Sequence, residues 1–368
     1  MKTVFKSWLL VFFIESNRNP LAFKQIAFVH STSQRYGMSR LNHSSNPDTS
    51  GISKQEDKQE STHPIIQNFR QAASLPNIYR CASTDNLADI FTNNINPIHP
   101  NDDIVLNKSG LILDLRSSSE RNEAKSQLWM NQAPGGKIQI STPFQNEQSS
   151  RKVMRIDVLS PSRLFEYLTD HWLTPTQKAL SALYFTIDAN KLHELRMDVL
   201  NKRSLSGLYE AILQTSQTEL FTAMKEITLF LENSQNYKKN VNTSQNKEQD
   251  AIIVHCVQGK DRTGILIMIC QSILGLSDEK IIHDYHLSHK NMYKGSSAAG
   301  EMLTKKGKLD RNVFSGAPKT AIMDTLSFIR KEYGSVSPAY LDSIGFDKSW
   351  RIRFLNALDD DMDVKSRL

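Results

Sequence analysis

The sequence of 368 residues contains only three cysteines, Cys81, Cys256 and Cys270, and no C-x-x-C pair. This scarcity argues against a disulfide framework and against a structural zinc site, because both need several cysteines at suitable spacing. A reducing compartment therefore suits the chain best. Long apolar runs are also missing. The run near the N-terminus, Trp8–Ile14, has seven residues, whereas a membrane-spanning helix needs roughly 20. We therefore expect no transmembrane segment.

A basic face of the kind that binds nucleic acid is missing as well. The net charge is +6, but residues 1–47 contain six basic residues and one acidic residue and so carry +5 of it. The other 321 residues are almost balanced in charge. Because the basic residues are concentrated in the N-terminal segment, the sequence argues against nucleic-acid binding.

Residues 1–62 are expected to be a presequence and a disordered linker. The segment 23–50 is rich in Ser, Asn and Arg and nearly free of acids, which resembles a transit sequence for a plastid or a mitochondrion. An N-terminus without a targeting role, in a cytoplasmic protein, is the alternative. Residues 44–62 are polar and lack aromatics, which indicates a linker. The folded domain is expected over 63–357, followed by a C-terminal tail, 358–368.

The apolar pattern predicts an α/β domain with a central sheet and many helices. The continuous apolar runs 111–115 and 251–255 indicate strands that are buried on both faces. Ser160-Pro161 and Thr174-Pro175 are typical helix starts. They introduce a helical region, 160–232, with stretches at 189–201, 205–215 and 218–232. Residues 130–150 and 234–250 lack a clear period and are predicted to be loops.

The segment HCVQGKDRTG, residues 255–264, lies between the strand 251–255 and a predicted helix. Such a loop presents backbone N–H groups and a helix N-terminus, which together bind anions, and Gly259 gives it conformational freedom. These groups and Arg262 favour the thiolate form of Cys256. Arg262 can also bind two phosphate oxygens at once. We therefore predict attack of Cys256 on phosphorus, a phosphocysteine intermediate, and its hydrolysis by water.

The same segment matches in full H-C-x5-R-[ST], the signature of the cysteine-dependent phosphatases. Other segments resemble, in order, parts of the bacterial-type tyrosine/lipid (dual-specificity) phosphatase family: NFRQAASLPNIYRCASTDNL, LILDLRSSSER, GLYEAILQ, IIHDYHLS and IRKEYGSVSPAYLDSIGF. The resemblance covers about residues 63–357 and is weakest over 120–205. It implies a tyrosine-phosphatase-like fold with a central, mostly parallel sheet and a helical insertion. It also implies a phosphatase without metal or other cofactor, acting on phosphotyrosine and also on phosphoserine/threonine or phosphoinositides.

The roles within the motif follow from the loop and from the resemblance. Cys256 is the predicted nucleophile and Arg262 the phosphate clamp. Thr263 either donates a hydrogen bond to the cysteine sulfur, as in the family, or caps the helix. His255 is expected to stabilise the loop by hydrogen bonding. The remaining motif residues are predicted to bind substrate: Val257, Gln258, Gly259, Lys260 and Gly264.

Two alternatives also remain for the general acid, for Asp114, for Lys260 and for Cys81. There is no W-P-D loop, so the general acid is Asp261, favoured because myotubularin-like lipid phosphatases have an aspartate there, or Asp114. The second interpretation of Asp114 is a turn carboxylate that binds Arg116. Lys260, expected at the loop rim, either binds a second phosphate or is solvated. Cys81 is either a redox partner of Cys256 or a small buried residue.

Other classes of protein fit less well. His283, His286 and His289 spread over a wide arc of helix and have no completing ligand, which argues against zinc. The motif lacks the glycine and the Ser/Thr that a nucleotide-binding P-loop requires. A phosphate-recognition module without activity is the alternative function. The helices of 160–232 are either a lid over the site or scaffold, and no oligomeric state is predicted.

Overall fold

The computed structural model describes residues 64–92, 98–122, 139–140, 151–240, 250–291 and 309–358. The predicted presequence and linker, residues 241–249 of the predicted polar loop, and all of the predicted tail except its first residue lie outside the described residues. Within the described ranges, no helix is long and apolar enough to cross a membrane.

Six strands form one sheet within this part of the chain. They are β1 (Arg70–Gln71), β2 (Ile78–Cys81), β3 (Ser109–Asp114), β4 (Gln139–Ile140), β5 (Lys152–Arg155) and β6 (Ala251–His255). Their order in the sheet is β1-β2-β6-β3-β5-β4. β1 is antiparallel to β2, and all other neighbouring strands are parallel. The predicted α/β fold with a central, mostly parallel sheet is confirmed.

The helices cover both faces of this sheet. In chain order they are α1 (Ala88–Thr92), α2 (Pro100–Asp103), α3 (Ser118–Asn122), α4 (Pro161–Tyr167), α5 (Pro175–Ile187), α6 (Ala189–Thr215), α7 (Gln217–Asn240), α8 (Asp261–Ile273), α9 (Asp278–Asn291), α10 (Arg311–Phe314), α11 (Lys319–Tyr333), α12 (Leu341–Ser343) and α13 (Lys348–Leu358). A 3-10 turn (Asp85–Leu87) precedes α1. Single π-helical turns occur at Ile104–Lys108, Leu168–Trp172 and Val336–Tyr340.

The central strand β6 is buried on both faces, as its continuous apolar run predicts. Ile252 and Val254 lie in the large core cluster that includes the apolar residues of α8. Ile253 points to the opposite face and lies in a smaller cluster with Leu87. Because strand side chains alternate between faces, a strand covered on both sides must be apolar throughout. This burial fixes the position of His255 and of the loop that follows it.

The predicted helix starts are confirmed by their caps. The Ser160 side chain accepts a hydrogen bond from the Arg163 N–H at 3.4 Å. Thr174 and Gln177 form a reciprocal capping box at 3.3 and 2.9 Å, which satisfies two N–H groups of the helix start. Ser204 interrupts α6 with φ 59° and ψ −162°, so the predicted separation of 189–201 from 205–215 is also seen.

Two predicted loops differ from the structure. Residues 139–140, within the predicted loop 130–150, form the edge strand β4, which is too short to leave an apolar pattern. The predicted polar loop 234–250 begins as helix, because α7 continues to Asn240. Contacts with α13 explain this extension. Arg353 forms two hydrogen bonds with Glu232 at 2.7 and 2.6 Å, and Gln235 donates to the Asn356 carbonyl at 3.1 Å.

A buried ion pair joins the sheet to α9. Arg80, on β2, donates to an oxygen of Asp284 at 2.9 Å, and both side chains are at most 2% exposed. The Arg70 guanidinium contacts the other carboxylate oxygen at 3.6 Å. In contrast, Asp278 at the start of the same helix pairs with Arg330 at the surface.

Replacing Asp284 should therefore be far more costly than replacing Asp278. Asp284→Ala leaves the buried Arg80 without its counter-ion, and we expect the free energy of unfolding to fall by about 3–5 kcal/mol. Asp278→Ala removes a surface pair, for which a loss of about 0–1 kcal/mol is expected. Urea unfolding of the two variants measures both values. Equal losses would show that the buried pair does not stabilise the fold as described.

Candidate active site

The candidate site lies where β6 ends and α8 begins. Cys256–Lys260 form the connecting loop, and α8 starts at Asp261. The neighbouring strands end beside it, because His255 pairs with Cys81 of β2 and with Asp114 of β3. The carboxyl edge of a parallel sheet is a usual place for binding sites in α/β proteins. The loop is also followed directly by the N-terminus of a 13-residue helix, which favours anions.

Donors outside the loop hold its carbonyl groups. The Asn68 amide donates to the carbonyl oxygens of Gln258 and Gly259, each at 3.0 Å. Arg80 donates to the Gly259 carbonyl at 3.0 Å. In a trans peptide the N–H points opposite to the C=O, so the N–H groups of Gly259 and Lys260 are turned toward the other side of the loop. Amides aligned in this way form an anion-binding surface.

Gly259 is required at this point of the loop. Its φ is +66°, and a Cβ atom would overlap the backbone carbonyl of Cys81. Gly264 lies one turn further along, where a Cβ would approach the Tyr285 ring to 3.1 Å and an Arg80 nitrogen to 3.3 Å. Both glycines therefore permit close packing around the loop.

Four more motif residues lie in or next to the loop. Cys256 is a free thiol, 2% exposed. The carbonyl of Val257 accepts a hydrogen bond from the Ser83 N–H at 2.8 Å. His255 is buried, with Nδ1 3.2 Å from the Cys256 carbonyl oxygen, which agrees with its expected supporting role. Thr263 is buried, and its hydroxyl has no hydrogen-bond partner among the described residues; its two predicted roles stay predictions.

Arg262 is held by a carboxylate that the sequence did not single out. Its Nη1 and Nη2 atoms donate to the two oxygens of Glu120, on α3, at 2.6 and 2.8 Å. Burial raises the pKa of Glu120, but the hydrogen bonds and charge of Arg262, with bonds from Ser117, outweigh it and lower the pKa to about 2. A guanidinium has five N–H groups. The Nε–H and one Nη2–H, on the edge away from Glu120, have no partner among the described residues.

The two candidate acids lie in different surroundings. Asp114 is buried and both of its oxygens accept hydrogen bonds from Arg116, at 2.9 and 2.8 Å. Burial would raise its pKa, but the interactions with His255 and with Arg116 outweigh burial and lower the pKa to about 2. These contacts match the second interpretation of Asp114 given above, in which it is a turn carboxylate that binds Arg116. Such a group stays ionised and is a poor proton donor at neutral pH.

Asp261 is held differently, by a tyrosine from the predicted insertion. Its Oδ1 accepts a hydrogen bond from the Tyr209 hydroxyl at 2.6 Å, and its side chain is 21% exposed. Tyr209 lies on α6, far away in the sequence. Tyr209 and Glu120 lie in two of the segments that resemble the family, GLYEAILQ and LILDLRSSSER, but no local pattern shows that their side chains contact the motif, because both contacts arise from tertiary packing.

The expected position of Lys260 at the loop rim is wrong. The side chain is 1% exposed, and its ammonium donates to the carbonyl oxygens of Phe314 and Gly316, each at 2.7 Å. The segment around α10 thus covers this lysine and satisfies its charge. In this conformation Lys260 is neither solvated nor directed at a second phosphate.

Cys81 and the three histidines lie outside the loop itself. Cys81 is a buried free thiol, and burial, followed by the neighbouring Cys256, raises its pKa. His286 and His289 contact the backbone of Ala317, with ring nitrogens 2.8 Å from its oxygen and 3.3 Å from its nitrogen. In the part of the chain that the structure describes, no three side chains are placed to hold a metal ion.

Comparison with known proteins identifies the class. Residues 62–358 match the model of the tyrosine phosphatase family, and the chain therefore belongs to that family. A similar solved structure is the core catalytic domain of the PP-IP phosphatase SIW14 from S. cerevisiae in complex with citrate. It has 12% sequence identity and a TM-score of 0.24, and the match covers 76% of this chain and 99% of that chain. Curated protein sequences give no significant match.

Two glycines with the same backbone conformation provide a test of the loop. Gly275 has φ +67° and open space around the position that a Cβ would take, whereas Gly259 has φ +66° and no space there. We expect Gly275→Ala to cost about 1–2 kcal/mol for the left-handed conformation. Gly259→Ala should cost a further 1–3 kcal/mol or so for overpacking and should weaken vanadate binding.

Urea unfolding and calorimetric titration with vanadate measure the two effects. Gly275→Ala serves as the control, since it changes the same residue type at the same φ away from the loop. Wild-type vanadate affinity in Gly259→Ala would contradict the close approach of this loop to β2.

Proposed function

We propose that the chain is a cysteine-dependent phosphoric monoester hydrolase that acts on phosphotyrosine through a phosphocysteine intermediate. The observation that carries this proposal is the arrangement of Arg262. Glu120 binds one edge of its guanidinium, and the other edge is left for two phosphate oxygens. The guanidinium also interacts electrostatically with Cys256. Bidentate binding of this kind orients a phosphate as well as attracting it.

The proposed reaction has two steps. The Cys256 thiolate attacks phosphorus, the bond from phosphorus to the phenolic oxygen breaks, and that oxygen takes a proton from Asp261. Water then attacks the phosphocysteine and gives its proton to the Asp261 carboxylate. Inorganic phosphate leaves and the thiolate is restored. The amides of the loop and Arg262 stabilise the charge on the transferring group.

The breadth of substrates is part of the same proposal. Phosphoserine, phosphothreonine and phosphoinositides fit the loop as phosphate monoesters. Lys260, the residue expected to recognise a second phosphate, is bound to backbone carbonyls, so preference for phosphoinositides has no support from this side chain. A recognition module without activity is the alternative, and Cys256, Asp261 and Arg262 together favour hydrolysis.

We also propose that the region 160–232 covers the site; its second half does so as part of the main core, in which Leu205, Tyr209 and Ile212 are buried. The support comes from α6, whose Tyr209 reaches Asp261, and from the burial of Cys256. A cover of this kind excludes water from the first step, when the phosphoryl group must go to sulfur.

Replacing the nucleophile should abolish turnover. We expect Cys256→Ser to lose phosphate release from an aryl phosphate, a phosphotyrosine peptide, a phosphoserine peptide and phosphoinositide vesicles, because the hydroxyl is a far weaker nucleophile. Cys270→Ala is the matched control and should keep activity. Cys270 is buried in the same core cluster as Cys256, but it lies within α8 and not in the loop. Wild-type activity should be inhibited by vanadate and unchanged by chelator.

Two results would contradict the proposed function. Turnover retained in Cys256→Ser would contradict the phosphocysteine mechanism. Binding of phosphopeptide without hydrolysis by the wild type would favour the recognition module.

The general acid is tested by the pH dependence of kcat/KM. A donor must be protonated, so it produces the basic limb of the profile. Asp261→Asn should remove this limb and lower the rate by about 10²–10⁴-fold. Asp114→Asn should retain the limb, with reduced stability because Arg116 loses one of its two carboxylate partners and keeps only Asp85. A basic limb that persists in Asp261→Asn and disappears in Asp114→Asn would reverse the assignment.

A further inference from the structure

The side chain of Asp261 is the end of a chain of buried hydroxyl groups. The Tyr209 hydroxyl is 2.6 Å from Asp261 Oδ1 and 2.5 Å from the Tyr285 hydroxyl. The two rings are nearly perpendicular, with centroids 6.0 Å apart. Both tyrosines are at most 2% exposed, so their orientations are set by packing.

The direction of these hydrogen bonds follows from proton counts. Each hydroxyl has one proton to donate. Tyr209 uses its proton on the carboxylate, so Tyr285 must donate to the Tyr209 oxygen. Burial, followed by the charge of Asp261, raises the pKa of both tyrosines. They therefore stay protonated and serve as donors to Asp261 rather than as acids.

The two oxygens of Asp261 are therefore distinct. Oδ1 accepts from Tyr209 and lies 3.7 Å from the Lys260 ammonium. Oδ2 has no hydrogen-bond partner among the described residues. A proton on this carboxyl belongs on Oδ2, because Oδ1 already accepts from a hydroxyl and faces a positive charge.

We propose that Tyr209, oriented by Tyr285, is a positioning residue that fixes the Asp261 carboxyl with Oδ2 toward the leaving oxygen. The inference rests on the proposed function, since it assigns the acid of that reaction. It gives the region 160–232 a specific part in the chemistry. Tyr209 touches the acid and not the substrate, so its effect is on proton transfer and not on phosphate binding.

The test compares two substrates that differ in their need for an acid. Phenyl phosphate has a basic leaving group, which needs a proton. The leaving group of p-nitrophenyl phosphate, p-nitrophenolate, is weakly basic and departs readily without one. We expect Tyr209→Phe to lower kcat/KM for phenyl phosphate about ten- to a hundredfold, as a misplaced catalytic group does. The loss of kcat/KM for p-nitrophenyl phosphate should be less than about twofold, because this constant reports only the step in which the leaving group departs. Tyr285→Phe should show the same pattern with a smaller loss, and it carries the test if Tyr209→Phe does not fold.

Two further variants complete the experiment. In the background of Asp261→Asn, Tyr209→Phe should cause no additional loss, because the group that it positions is gone. Tyr340→Phe is the matched control. Tyr340 is as buried as Tyr209, but it lies outside the region 160–232 and its hydroxyl donates to the Leu213 carbonyl at 2.9 Å, so its loss should leave both rates unchanged.

Equal losses on the two substrates, or a full additional loss in the double variant, would overturn the role of Tyr209 and leave the proposed function standing. Hydrolysis retained in Cys256→Ser is the separate result that would contradict the proposed function.

Discussion

The site depends on the hydrogen-bond donors that satisfy the carbonyl groups of the loop. A loop that directs its N–H groups at an anion turns its C=O groups the other way, into the protein, where they need donors. Asn68 and Arg80 supply these donors. Arg80 is itself buried and is balanced by Asp284. The anion-binding surface thus extends, through two side chains, to β2 and to α9, and the loop cannot be altered without affecting the fold.

The charged side chains around the loop are likewise held by partners. Arg262 is held by Glu120 on one edge, and Arg116 by Asp114. The pKa values of both carboxyls are lowered to about 2, below the ordinary values near 4. A lowered pKa in the folded state means that these pairs stabilise the protein fully above the ordinary pKa, and that the stabilisation is lost only as the pH falls toward 2. Arg262 therefore keeps its partner Glu120 in the ionised form at every pH above about 4.

The sequence predicts the local features well and the long-range contacts poorly. The continuous apolar runs of β3 and β6, the helix caps at Ser160 and Thr174, and the motif itself are signals carried by neighbouring residues. β1 and β4 have two residues each, too few for any period. Lys260 is expected at the loop rim because a lysine in a loop is usually solvated, and no local pattern shows that residues 314–316 will cover it. Glu120 and Tyr209 escape prediction for the same reason.

The position of Asp261 has a consequence for how this site works. An acid on a separate loop must be brought to the substrate, whereas Asp261, the acid that we propose, follows Cys256 by five residues at the junction between the loop and α8. Its backbone is fixed with respect to Cys256 by β6 and α8. Only the rotation of its carboxyl group is left to be determined, and a single hydrogen bond to one oxygen determines it. In the proposed mechanism a hydroxyl from a distant helix therefore controls proton transfer, which would make α6 part of the catalytic apparatus.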